Sequence, residues 1–448
     1  MRKPLITLLI FLVPVISFTQ EVPNSFTLEE AIAFALENNR TSKNAQRDIE
    51  AAKEQQWETI ATGLPQIDAS ASYQNNLKQQ VSLVPAEFFG GQEGEFAEVV
   101  FGTKQNVNAT ATLNQLIFDG SYLVGLQASK VFLEISKNAK EKTDLEVRKM
   151  VINAYGNVLI SQESEAILEK NKTILAENLD ETQKIYENGL EEEESVEQLR
   201  ITLAEIESAL KNATRLKNIS QQLLNITLGI NINTDISLTD SLENLAAKNV
   251  SLALLTEDSS VENTIDFKIA QNDVRSKELM VKLEKSKALP RLTGYLNGGY
   301  LGFSDDFTFF DSDQNWSGFS SFGLNLNIPI FSSFGRKAKT QRAEINLDIA
   351  EENLTELEQQ INLQIETAKS NYQFAIEDYN IKKDNLQLAE RIEAKNQTKF
   401  FEGIASSFEL RQAQNQLYSA QNAYLEAMLN VINTKTELET ALNLPNNN

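Results

Sequence analysis

From Phe408 the chain runs to Ala441 without a helix-breaking residue, and Leu410, Ala413, Leu417, Ala420, Tyr424, Ala427, Val431, Thr434, Leu438 and Ala441 recur in it at alternating spacings of three and four. This is a heptad seam, the pattern of a helix packed lengthwise on partners as a coiled coil. Moved back by 214 residues, the same ruler finds Val196, Leu199, Leu203, Ile206, Leu210, Ala213, Lys217, Ser220, Leu224 and Thr227. Only Lys217 is out of character. Upstream, Val151, Ala154, Val158 and Ser161 answer to Ile365, Ala368, Tyr372 and Ala375, and Gly189 answers to Gly403. One design is written twice.

The 448 residues include neither Cys nor His. Disulfides, thiolate or imidazole metal sites, thiol nucleophiles and attachment of lipid to an N-terminal Cys are thereby excluded. A formal net charge of −22, from 41 basic and 63 acidic residues, repels phosphates and argues against a nucleic-acid partner. Most of the acids read as a solvated face. No catalytic constellation, cofactor site or metal site is expected. The paired carboxylates lie on exposed helix faces that would not raise a pKa. The acids Asp305, Asp306, Asp311 and Asp313 lack EF-hand spacing. The glycines of Gly294-x-x-x-Gly298-Gly299-x-x-Gly302 lie within a strand, as bends or close approaches and not as a phosphate cradle.

At the N-terminus Arg2 and Lys3 precede the apolar run Leu5 to Phe18, with small residues before Gln20. Residues 1–19 therefore read as a secretion signal, too short and too broken by Pro14 to span a membrane. No later stretch reaches the length of a membrane-spanning helix. An exported chain of this kind can meet a bilayer only through strands.

The first copy, residues 20–229, opens with the capping box Thr27-Leu28-Glu29-Glu30 and a helix expected to reach Ile60 before Gly63-Leu64-Pro65. The period then changes to two, with Ile67, Ala69, Ala71 and Tyr73 alternating with Asp68, Ser70, Ser72 and Gln74. A loop over 77–103 follows, then the alternation of Val107, Ala109, Ala111 and Leu113, closed by Phe118-Asp119-Gly120. Helix from Ser121 to Glu187 would be about 100 Å long. Asn188-Gly189 turns the chain back. A polar linker is expected over 230–260, and the second copy, 261–448, repeats each step. Its strands start at Arg291 and alternate through Phe322, Leu324, Leu326, Ile328 and Ile330, and Glu402-Gly403 makes its turn.

Four strands of this length suit tilted passage through a bilayer, with Asn, Ser and Thr towards a wet lumen and apolar residues towards lipid. Tyr73, Phe118, Tyr295, Tyr300, Phe303, Phe319 and Phe331 gather near strand ends, as an aromatic girdle does. The alternative is a soluble sheet with one face on a core. Four strands cannot close a barrel, and open edges are not tolerated in lipid, so copies must combine. Two would give eight strands, three would give twelve and room for a bore.

The chain resembles the TolC family of outer-membrane efflux proteins across its mature length. The carrying residues are Leu64-Pro65 and Leu289-Pro290, Gln115-Leu116-Ile117-Phe118-Asp119-Gly120, Tyr186-x-x-Gly189 and Phe400-x-x-Gly403, in order and in both copies. The resemblance implies a mainly α fold with a β-barrel part. Long antiparallel coiled-coil helices form an α-barrel, and four transmembrane strands per chain complete a trimeric twelve-stranded barrel in the outer membrane of a Gram-negative bacterium. It implies a non-enzymatic duct of a tripartite efflux or type I secretion system. Its partners would be two further copies, outer-membrane lipid, a periplasmic adaptor (membrane fusion) protein and an inner-membrane transporter of the RND or ABC class. A soluble periplasmic coiled-coil adaptor or scaffold is the rival reading.

The resemblance also suggests site residues. Tyr186, Gly189, Leu190, Phe400, Gly403 and Ile404 stand where adaptor-docking tips are expected. Acidic residues beyond the second turn would ring the periplasmic entrance; Glu409 holds the first such position, while Gln412 holds the second, where an acid is expected. In the first copy Glu193 and Glu194 precede the equivalent Ser195, and would add an acidic rim. Alternatively Glu409 faces solvent or pairs with Arg411 of a neighbouring helix.

Overall fold

The computed structural model describes residues 23–257 and 260–444. The proposed secretion signal lies outside them. The chain begins with β1 (Ser25–Phe26) and two helices, α1 (Leu28–Asn38) and α2 (Arg40–Ala61). Then come β2 (Gln66–Asn75), a hairpin of β3 (Val81–Pro85) and β4 (Phe96–Val100), and β5 (Gln105–Asp119). The long helix α3 (Gly120–Glu187) reverses into α4 (Glu193–Leu228). The second half carries β6 (Ser237–Leu238), α5 (Leu242–Asn249), α6 (Ile265–Ser286), β7 (Arg291–Ser304), β8 (Trp316–Asn327), α7 (Gly335–Phe401) and α8 (Ser407–Ala441).

The helix expected to run unbroken to Ile60 breaks at Asn39. This residue ends α1 and caps α2, its Oδ1 accepting from the Thr41 amide at 2.8 Å. Its Nδ2 donates to the Thr227 carbonyl at 2.7 Å, so the break seats the end of α4. Gly229 there has φ +82°, and a Cβ would collide with the Asn38 carbonyl.

In the segment expected as a polar linker, 230–260, the described residues 230–257 form ordered elements. β6 pairs in parallel with β1, and Ser241 caps α5 as Thr27 caps α1, 214 residues apart. The duplication thus reaches back to the first turn of each half. Ile236, Leu242, Leu245 and Ala246 join the main core, with Val151, Tyr155 and Val158 of α3, Tyr372 and Ile376 of α7, and Val431 and Leu438 of α8. The long helices thus have a core at mid-length, where this belt wraps them. Two buried tyrosines pin the belt. The Tyr155 hydroxyl contacts the Phe26 carbonyl (3.0 Å) and Asp240 (2.9 Å), and that of Tyr372 donates to the Asn249 carbonyl at 2.6 Å. Lys217, the misfit of the seam, is explained by its ion pair with Glu165 at 2.6 Å.

The long elements lie side by side. Helix α4 packs on α3, α3 on α8 and α8 on α7, which leaves α4 and α7 at the edges. The sheet is antiparallel in the order β2-β5-β7-β8, with β2 and β8 at its edges. Strand β8 stops at Asn327, short of the expected Ile330, opposite Arg291 where its partner β7 begins after Pro290. Within the expected loop 77–103, β3 and β4 form a separate hairpin.

Candidate functional site

The register sorts the sheet into two faces. Ile67, Leu113, Leu296 and Phe322 form one row across all four strands, and Asp68, Thr112, Asn297 and Ser321 form the next on the opposite face. The polar face bonds to itself: Ser70 and Thr110 hydroxyls lie 3.0 Å apart, and Thr112 donates to Asn297 at 3.2 Å. A bulge at Ile117 shifts the register and turns Phe118 onto the apolar face, opposite Leu292. Ile67 and Phe322 remain 71% and 72% exposed, so none of the described residues covers this apolar row. A soluble sheet seated on its own core would have covered it.

Of the glycines singled out in the sequence, Gly299 and Gly302 are close approaches, a Cβ at Gly299 colliding with the Ala109 carbonyl oxygen, and Gly318 and Gly323 of β8 add two more. Tyr295 lies across from Gly323, Tyr300 across from Gly318 and Trp316 across from Gly302, with the ring against the glycine in each pair. A Cβ at Gly323 would fall 2.5 Å from the Tyr295 ring.

At the other end of the molecule both hairpins turn through the same motif. The Gly189 amide donates to the Tyr186 carbonyl (2.8 Å) and that of Leu190 to Ile185 (3.1 Å). In the second copy Gly403 donates to Phe400 (3.0 Å) and Ile404 to Lys399 (2.8 Å). These paired bonds close a helix through a left-handed residue, and Gly189 and Gly403 have φ +74° and +71°. Phe400 is buried and Tyr186 half-buried, so both hold the turn, while Leu190 and Ile404 project into solvent. The two tips touch through Ser195 and Ser407, whose hydroxyls are 3.0 Å apart.

Glu409, Gln412, Glu193 and Glu194 are all exposed just beyond these turns. Glu409 also has a local role that sequence reading missed. Its carboxylate accepts from the Ser406 amide at 2.8 Å, while the Ser406 hydroxyl accepts from the Glu409 amide at 3.3 Å. This capping box holds its carboxyl below the usual range, chiefly through the Ser406 amide. The signal was legible as Ser-x-x-Glu before an apolar run. Arg411 stacks over its own Phe408 ring at 5.6 Å. Glu194 accepts from Gln198 at 2.8 Å, and Ser195 from the first copy donates to Glu191 at 2.6 Å.

Between the core and the tips the helix seams turn polar. Asn171 and Asn178 of α3 are one heptad apart, as are Gln414 and Gln421 of α8. Asn171 donates to Gln421 at 2.9 Å, and the same antiparallel register sets Asn178 level with Gln414. Asn178 accepts from Gln397 at 3.1 Å. Buried Gln414 has no partner at hydrogen-bonding geometry for either amide atom. It approaches Glu393, whose carboxyl burial pushes above the ordinary range, too loosely to count as a bond. Amides in a seam set register at a cost in stability.

The profile of the outer membrane efflux protein family matches residues 31–229 and again residues 258–444. No curated protein sequence matches the chain. Solved structures match along most of its length. VceC of Vibrio cholerae has 17% identity and a TM-score of 0.69 over 93% of this chain and 95% of that one. The CmeC outer membrane channel of Campylobacter jejuni has 19% identity and a TM-score of 0.70, covering 93% and 85%. The open state of the MtrE outer membrane channel of Neisseria gonorrhoeae has 16% identity and a TM-score of 0.71, covering 93% and 88%. At these identities the likeness shows the fold, long paired helices joined to a four-stranded antiparallel sheet. The family rests on the profile, which matches both copies and is one of outer-membrane channels, not of enzymes. The chain belongs to the outer membrane efflux protein family.

Proposed function

We propose that three copies of this chain form a passive duct that carries substrates from an inner-membrane pump across the periplasm and the outer membrane. The observation that carries the reading is the uncovered apolar row Ile67–Leu113–Leu296–Phe322, backed on the other face by the polar row Asp68–Thr112–Asn297–Ser321. Such a sheet is stable where lipid meets one side and water the other. Its two edges need partners, and three chains supply twelve strands. The helices support the same closure. Edge helix α4 exposes Leu216, Ile219, Leu223 and Ile226, and edge helix α7 exposes Phe374, Ile381, Leu388 and Ile392. Two unlike apolar edges joined head to tail close into a ring.

The tips then form the periplasmic mouth. Leu190 and Ile404 with their glycine turns are the surface for an adaptor, which links the duct to a transporter of the RND or ABC class. Tyr186 and Phe400 support that surface from within. Glu409, Glu193 and Glu194 lend the entrance a negative potential that favours cations, and Gln412 leaves it weaker than a doubled acidic ring. The polar seam of Asn171, Asn178, Gln414 and Gln421 lets neighbouring hairpins separate at lower cost than the apolar core above. Reconstitution in planar bilayers tests the reading. Discrete cation-preferring conductance steps are expected; purified protein that assembles but leaves the bilayer sealed, even after tip-loosening substitution, contradicts it.

A further inference from the structure

The join between β8 and α7 departs from the duplicated design. In the first copy β5 passes directly into α3, whose N-cap Asp119 accepts from the Ser121 amide at 2.7 Å and pairs with Arg291 at 3.3 Å. From there no residue of α3 is charged until Lys130. In the second copy residues 328–334 intervene, and Ile330, Phe331 and Phe334 are 88%, 75% and 73% exposed. The two phenyl rings meet edge-on with centroids 6.1 Å apart. Ser333 and Phe334 have φ of +49° and +63°, a conformation unfavourable for a bulky residue, which here turns the Phe334 ring outward.

Immediately beyond stand Arg336, Lys337, Lys339 and Arg342, four bases within seven residues of a chain whose net charge is −22. They run against the helix dipole, which favours acids in a first turn. Helices α1, α4, α5, α6 and α8 open on acids, whereas α2, α3 and α7 have none in the first turn. Arg336 donates to the Ile330 carbonyl at 3.1 Å, which ties the bases to the apolar loop. Among the described residues Lys337, Lys339 and Arg342 have no acidic partner, and nearby Glu344 is taken by Lys285 at 2.9 Å.

We infer that residues 328–342 anchor the barrel rim to anionic phospholipid headgroups of the inner leaflet of the outer membrane. The inference rests on the duct reading, which puts the helix side of the sheet at that leaflet. Ile328 and Ile330 continue the spacing of the lipid-facing residues Phe322, Leu324 and Leu326. The apolar loop thus extends the lipid surface to its edge, and the bases follow where phosphates lie. Exposed rings at the interface beside Lys and Arg are the arrangement that recognises an anionic membrane surface.

The test is native mass spectrometry of the full-length channel released from nanodiscs that hold phosphatidylglycerol and phosphatidylcholine together. The wild type should retain phosphatidylglycerol preferentially, and raised salt should reduce the preference. Each base near an anionic surface contributes roughly fivefold in affinity, so replacing all four with Gln should cut the preference at least about tenfold. Phe331→Ser with Phe334→Ser should weaken retention of both lipids alike. A wild type that retains the two lipids equally overturns the proposal without recourse to any variant. So does a Gln variant that keeps the preference, or one that loses assembly equally in either lipid, because its bases would then pair with acids of the adjacent copy. Conductance is recorded alongside: a wild type that neither assembles nor conducts counts against the duct itself, whereas a conducting channel without lipid preference counts against the anchor alone.

Discussion

The hydroxyls of Ser195 and Ser407 lie 3.0 Å apart, although 212 residues separate them, and they join the tip of the first hairpin to the tip of the second. One residue opens α8 and the other sits in the first turn of α4. The contact is therefore made where the proposed entrance narrows, and each tip holds the other in place.

Because the chain contains no cysteine, this contact can be locked without interference. Ser195→Cys with Ser407→Cys should form a disulfide under oxidation that ties the two tips of each protomer. Export should fall in the oxidised protein and return on addition of reductant. Export that is indifferent to reductant, once the bond is confirmed by mass, would show that the hairpins need not separate.

Gly189 and Gly403 are held at positive φ, and a Cβ at either would meet nothing within 4 Å. Substitution there acts through the backbone alone. Valine at each should cost roughly 1 kcal/mol or more. The double variant should fray the tips, seen as faster amide exchange near 186–190 and 400–404, and should weaken adaptor binding while the barrel still inserts. Adaptor affinity equal to that of the wild type would exclude the tips as the docking surface.

Glu409 caps α8, and the charge proposed for it at the entrance is a separate role that one pair of variants can distinguish. Glutamine preserves a capping side chain at this position and removes the charge, whereas alanine removes both. Glu409→Gln should lower cation preference and weaken block by multivalent cations, most visibly at low salt. Only Glu409→Ala should also fray the first turn of α8. The pH dependence follows from a folded carboxyl held below its ordinary value. The cap is complete above the ordinary carboxylate range and is lost as pH falls through the depressed folded value. The protection of amides in the first turn of α8, relative to their intrinsic exchange at each pH, should therefore fall on acidification in the wild type and stay flat in Glu409→Ala. Unchanged selectivity in Glu409→Gln would place the residue off the conduction path.

How much of this was legible in the sequence depends on how local each signal was. The heptads of 196–227 and 410–441 and the alternation of 67–73 and 107–113 are strong, repeated patterns, and the helices and strands stand where they indicated. The break at Asn39 was not, because its decisive bond goes to Thr227 across the fold. Segment 230–260 read as polar since α5 is only eight residues long and buries only Leu242, Leu245 and Ala246. The contact of Ser195 with Ser407 leaves no trace in sequence. The cap at Ser406 and Glu409 did leave one, the Ser-x-x-Glu spacing ahead of the heptads.

Gln414 is almost fully buried with neither amide atom in a well-formed hydrogen bond, its approach to Glu393 being loose, and such a group costs about 1–3 kcal/mol. Gln414→Leu should recover about 1 kcal/mol or more of that in thermal or denaturant unfolding. It should also tighten the α7–α8 packing and reduce the open probability of the channel. A destabilised variant would mean that Gln414 has a partner in the assembled duct, on an adjacent copy.

The mass of the assembly extracted from membranes in mild detergent tests the central claim most directly. The exposed apolar row of the sheet and the two unlike helix edges require neighbours, and twelve strands require three chains. Native mass measurement on the outer-membrane fraction should give a single species of three chains that does not exchange subunits on dilution. A monomer recovered from the soluble periplasmic fraction, or a stable assembly of any other number, would contradict the duct.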